Sequence, residues 1–177
     1  MLDRRRNHKA LSQSGITLIE VLVTILIIAI GLLGLLGMQA KSLASHKDSF
    51  DRKTTVELLS QITERMRSNH LGFMSGNYES QLAVGGAIQI APSCGSTIAC
   101  NPEQIALADI AQWQGMIRTR LVDSAAVISP TPRGPAVSAR VTIAWKDPRQ
   151  QSFTDANCLA IGVTDNYYRC ISIEVFP

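Results

Sequence analysis

A single carboxylate interrupts the least polar part of this sequence. Residues 16–38, ITLIEVLVTILIIAIGLLGLLGM, form a 23-residue run whose only charge is Glu20. A charge held in hydrocarbon costs a few kcal/mol on insertion scales, so an acid there must reach the headgroups or meet a cation. The other reactive groups are four cysteines, Cys94, Cys100, Cys158 and Cys170, and three histidines, His8, His46 and His70. The histidines lie in the opening residues and along the stretch after the apolar run, far from any Ser or Cys they would activate. No phosphate-binding Gly-Lys loop and no metal-ligand spacing occurs. The residue inventory therefore leads away from catalysis, and neither a metal nor a cofactor is expected.

The cysteines admit two disulfides in three connectivities, provided the compartment is oxidising. Local pairing is favoured: Cys94 with Cys100 closes a small surface loop, and Cys158 with Cys170 flanks a hairpin. In that hairpin Leu159 and Ile161 face Arg169 and Tyr167, which leaves both cysteines on the other face. The rival is zinc held by four thiolates, for which these spacings are poor.

The elements that must position these groups follow from charge and periodicity. The formal net charge is +3, and the first fifteen residues hold all of it, as Arg4, Arg5, Arg6 and Lys9 against Asp3. Acids and bases cancel from Ile16 onward and aromatics are only 5%, so the electrostatic footprint of a nucleic-acid binder is absent. A helix over residues 16–38 covers roughly 35 Å, enough to cross a bilayer. The basic flank puts the N-terminus in the cytoplasm and everything C-terminal across the membrane. The run is too long for a cleaved secretory signal, and it is expected to be the only span.

Residues 39–70 contain no Gly or Pro, and Leu59, Ile62 and Met66, with Val56 one step before, follow helical spacing. One helix of about 55 residues, half apolar all round and half amphipathic, is predicted, with Gly72 and Gly76 as terminators. Gly31, Gly34 and Gly37 either allow close helix packing, though at a spacing of three and not four, or weaken the apolar half, and weakening is the favoured expectation. Arg65 and Arg67 read as a solvated face near the helix end. Residues 72–100 read as loop with a hairpin near Gly85-Gly86. Asn101-Pro102-Glu103-Gln104 reads as a capped helix start, followed by an apolar face of Ile110, Trp113, Ile117 and Leu121. Pro130, Pro132 and Pro135 mark a loop. Strand alternation then runs over Val137–Trp145, over Leu159, Ile161 and Val163, and over Ile171, Ile173 and Val175. Trp113 and Trp145 are expected in the core. Helix first and antiparallel strands last is an α+β order.

The segment Gly15-Ile16-Thr17-Leu18-Ile19-Glu20-Val21-Leu22-Val23 resembles the processing site of type IV prepilins and pseudopilins. The resemblance implies cleavage between Gly15 and Ile16 by a membrane-embedded prepilin peptidase, which also methylates the new amine of Ile16; the family usually has Phe there. It implies that Glu20, at the fifth mature position, sets helix register in assembly by meeting the amine of a neighbouring subunit. It implies a pilin-like fold: a leader over 1–15, a transmembrane and polymerisation helix over 16–38, an amphipathic continuation over 39–71, and a periplasmic head over 72–177. Partners would be major and minor pilins and an inner-membrane assembly platform, with no nucleic acid. The protein would rest in the inner membrane, single-pass, before entering a filament. Ala29-Ile30-Gly31-Leu32-Leu33-Gly34, Glu64-Arg65-Met66-Arg67-Ser68-Asn69, the Trp113 segment and Thr142-Ile143-Ala144-Trp145-Lys146-Asp147 are similar to the minor-pilin branch. A pseudopilin of a type II secretion system is the alternative.

Overall fold

The computed structural model describes residues 15–93, 99–133, 136–147 and 156–176. Two compact units divide the chain, Met1–Ser45 and His46–Pro177, and helix α1 (Leu18–Ser68) runs through the division. In the first unit the apolar side chains from Ile16 to Leu43 are exposed. By length and composition α1 is able to cross a membrane. In the second unit α1 buries Thr54, Thr55, Leu58, Leu59, Ile62 and Met66, a face at three- and four-residue spacing. Leu58 belongs to this face and Val56, which is exposed, does not.

The helix stops at Ser68, short of the expected residue 71. Asn69 leaves the helical conformation (φ −107°, ψ 58°), and its side chain accepts from Gly72 N at 3.3 Å, starting a separate turn, α2 (His70–Met74). Gly72 is thus not a terminator. It sits inside α2 because a Cβ there would come within 2.8 Å of Pro102 O. Gly76 does terminate: it takes φ +77°, and the bonds from Asn77 N to Gly72 O and from Gly76 N to Phe73 O close a Schellman motif.

Four antiparallel strands follow in spatial order β1-β2-β3-β4: β1 (Ser80–Leu82), β2 (Ala125–Arg133), β3 (Ala136–Lys146) and β4 (Tyr168–Val175). Helix α3 (Pro102–Arg120) lies between β1 and β2 in the chain. Its start carries the capping box read from the sequence, with Gln104 N donating to Asn101 Oδ1 and Asn101 N to Gln104 Oε1. The main core joins Leu58, Ile62 and Met66 of α1 to Ile110, Trp113 and Ile117 of α3, and both to the sheet through Ile128, Val141, Ile143 and Trp145. Trp113 is fully buried, and its Nε1 donates to Leu58 O at 2.9 Å. The result is the α+β pilin-like arrangement of a long N-terminal helix on a small antiparallel sheet.

Three local expectations are corrected. No hairpin forms at Gly85-Gly86; the chain turns there, and β1 pairs with β2 instead. Residues 130 and 132 are strand, not loop. The bond from Asp147 N to Tyr167 O (2.7 Å) continues the β3–β4 ladder by one step, so odd-numbered residues of β3 bond to β4 and even-numbered ones to β2. Pro130 and Pro132 stand opposite Ala139 and Val137, so their nitrogens face away from β3. On that side β1 has already ended at the Ser80–Ile128 pair, and a missing N–H costs no ladder bond. Pro135 lies outside the described residues.

The third correction concerns residues 156–163, which form a helical turn, α4 (Ala156–Leu159), and not a strand. Gly162 takes φ +79°, Val163 N donates to Cys158 O, and Gly162 N donates to Leu159 O. The apolar alternation at Leu159, Ile161 and Val163 is therefore the signature of a Schellman stop. Cys158 reaches Cys170 from this turn, with a Cα–Cα distance of 5.4 Å. The bridge lies in a second apolar cluster, formed by Ala125, Ala144, Tyr168, Ile161 and Val163. Replacing Cys158 and Cys170 together by Ala is expected to lower stability by about 3 kcal/mol, the value for a loop of this length. A fall in the stability extrapolated from urea unfolding checks it; an unmoved value contradicts it.

Candidate processing and assembly site

The processing junction lies just before α1. Gly15, Ile16 and Thr17 belong to no helix or strand, and Ile16 is 77% exposed. A Cβ built on Gly15 meets nothing within 4 Å among the described residues, so none of them demands glycine there. Thr17 O accepts from Glu20 N (3.1 Å) and Val21 N (3.4 Å), which opens the helix. Glu20 falls in its first turn, where unsatisfied N–H groups favour a negative charge. Thr24 Oγ1 donates to Val21 O at 2.8 Å, removing its own polar group from an otherwise apolar surface.

Ile16, Glu20, Val21 and Thr24 line one open cavity of about 220 Å³. Of the three residues singled out for processing and assembly, Ile16 and Glu20 thus lie on one side of the helix start, and Gly15 does not line the cavity. Among the described residues no cation pairs with Glu20. A carboxylate set in an apolar helix surface, with room beside it, can receive a small cationic group.

The cysteines take no part in this site. Cys158 and Cys170 are bridged in the second unit. Cys100 is also disulfide-bonded, and Cys94, its expected partner, lies outside the described residues. No cluster of His, Cys, Asp or Glu able to hold a metal occurs among the described residues. His46 and His70 are exposed on helices, and His8 lies outside the described residues.

One polar network escaped the sequence reading. Arg65 does not lie on a solvated face: its Nη1 donates to Asp109 Oδ1 at 2.7 Å, joining α1 to α3. Tyr78 OH donates to Asp109 Oδ2 at 2.6 Å and lies 3.2 Å from Arg65 O. Burial, and then the bond to Asp109, push the Tyr78 hydroxyl well above the usual phenol range. Arg67 remains exposed, with its Nη1 donating to Glu64 at 3.2 Å. Arg118 is a second clamp, donating to the carbonyls of Ala83, Gly86 and Ser124. These contacts hold the head together, and their separations of up to 44 residues left no local signal.

No curated protein and no solved structure gives a match to the chain. Residues 11–36 match the prokaryotic N-terminal methylation motif, which spans the Gly15–Ile16 junction and Glu20. Residues 37–111 match the Tt1218-like family, type IV pilin Tt1218, from the apolar part of α1 into α3. The motif implies processing by a prepilin peptidase and assembly with other pilins, and the apolar helix is consistent with membrane anchoring. The two adjoining matches, the exposed apolar helix and the helix-on-sheet head together make the chain similar to type IV pilins that carry the prepilin N-terminal methylation motif.

Proposed function

We propose that the chain is a minor pilin of the PilV type, which joins or primes a type IV pilus through its N-terminal helix. The observation that carries this reading is the placement of Ile16 and Glu20 in one cavity at the start of an exposed apolar helix. Cleavage falls between Gly15 and Ile16 on the cytoplasmic side, and Ile16 becomes the methylated first residue. Glu20 then receives the amine of a neighbouring subunit, because a stagger of about 6 Å along the helix brings amine and carboxylate together. Such a pair fixes register more than it adds stability. Before assembly the chain sits in the inner membrane with its C-terminal part periplasmic, where an assembly platform engages it and the cysteine bridges form.

Mass analysis of the protein from sheared filaments and from membranes tests the proposal. The expected species begins at Ile16 and carries one methyl group on its amine. A chain still bearing its leader overturns the processing step. A processed chain absent from filaments, in cells that lose enzyme secretion and not twitching motility without it, assigns it to the pseudopilins.

A further inference from the structure

The two edges of the sheet are built differently. One edge is defended: β1 is three residues long, and past its end β2 turns the nitrogens of Pro130 and Pro132 outward. Short strands and outward prolines are the means by which sheet edges refuse another strand. The other edge, β4, is eight residues long and contains no Pro and no Lys. By the ladder parity set at Asp147 and Tyr167, the N–H and C=O of Ser172 turn away from β3, to the side where no strand follows among the described residues. Ile171, Ser172 and Ile173 are half-buried, and Phe176, just past the strand, is 50% exposed.

We propose that β4 receives an extended segment of another, different pilin subunit, which hydrogen-bonds to the backbone at Ser172 and lays an apolar residue beside Phe176. The proposal rests on the pilus-subunit reading. Backbone groups aimed out of a sheet edge are complementary to a β-strand and to little else, and an exposed aromatic at the strand end supplies cross-strand contact. Two features argue against a second copy of this chain. Its defended edge is unable to continue the sheet head to tail. Antiparallel pairing of β4 with β4, the mode used throughout this sheet, requires a two-fold axis normal to the sheet, which reverses the α1 stretch packed on it. Subunits of one open filament instead all point the same way.

The test uses the full chain in cells that make the pilus, reading the ratio of filament to membrane protein. Ser172→Pro removes the outward N–H and, apart from the hydroxyl contact with Thr142, no bond to β3, and is expected to lower that ratio about tenfold, the loss of roughly one hot-spot contact. Ser172→Ala loses the hydroxyl contact with Thr142 but keeps the N–H, and is expected to match wild type. Phe176→Ala, at an exposed position outside the core, is expected to lower the ratio several-fold and decides the matter should Ser172→Pro fail to form the Cys158–Cys170 bridge. Normal entry of both Ser172→Pro and Phe176→Ala, or equal failure of Ser172→Ala, overturns the proposal. A photo-crosslinker, p-benzoylphenylalanine in place of Phe176, is expected to yield an adduct with a second chain that itself begins with a methylated pilin N-terminus. An adduct with copies of this chain alone, or no adduct, overturns it. Absence of wild type from filaments overturns the pilus reading and this proposal with it, whereas wild type present with both Ser172→Pro and Phe176→Ala unaffected removes only the latter.

Discussion

Gly15→Val is expected to leave an uncut precursor in the membrane, with its leader of fifteen residues still attached. A Cβ at Gly15 meets nothing within 4 Å among the described residues, and the head lies in the other unit of the chain, so valine there leaves the folded head unchanged. Any effect must arise where the chain enters the peptidase. A residue without Cβ lets the backbone lie extended in a protease cleft, and a branched side chain displaces the scissile bond from the catalytic groups. A displacement of about 1 Å is enough to cost about a hundredfold in rate. Gly15→Ala, with one small Cβ, should fall between valine and wild type. Mass analysis of membrane-extracted protein distinguishes precursor from product directly, and processing of Gly15→Val at the normal rate contradicts the expectation. The head provides the control: the Cys158–Cys170 bridge should form in the precursor as in wild type, because it lies in the other unit of the chain.

How much of this architecture is legible in the sequence depends on how local its causes are. The capping box at Asn101 and Gln104 is written within four residues, and the helix begins where those residues place it. The alternation from Val137 to Trp145 is likewise local, and β3 covers it. Pro130 and Pro132 mislead because a proline in a strand is harmless only where the neighbouring strand has ended. That depends on β1, about fifty residues earlier in the chain. Leu159, Ile161 and Val163 mislead for a different reason. A Schellman stop places an apolar residue after glycine against one five positions before it, and over so short a run this imitates a strand. Arg65 and Arg67 look alike in sequence, and only Asp109, on another helix, separates the half-buried pair from the exposed one. The proposed site is more legible than the head, because the processing and register proposed for it rest on consecutive residues from Gly15 to Glu20.

Glu20→Val should be cut and methylated like wild type, yet be nearly absent from filaments. The substitution leaves Gly15 and Ile16 intact, and among the described residues Glu20 holds no ion pair whose loss would disturb the fold. Its effect falls on the equilibrium between bilayer and filament, and two contributions act in the same direction. Removing a carboxylate from an apolar helix makes the membrane-resident state more favourable, by up to about 3 kcal/mol on insertion scales and less near the helix end. In the filament the neighbouring amine loses its partner, and breaking a buried pair by removing one member costs about 3–5 kcal/mol. The second contribution alone corresponds to roughly a hundredfold or more in the share of assembled subunit. Glu20→Gln separates charge from size: it keeps the side-chain volume and hydrogen-bonding capacity, so a defect approaching that of valine assigns the effect to the charge. Glu20→Asp keeps the charge but shortens its reach, and a partial recovery is expected because a weaker contact with the amine persists. Wild-type incorporation of Glu20→Val would show that register is set elsewhere on the helix, and normal incorporation of Glu20→Gln would show that polarity without charge suffices.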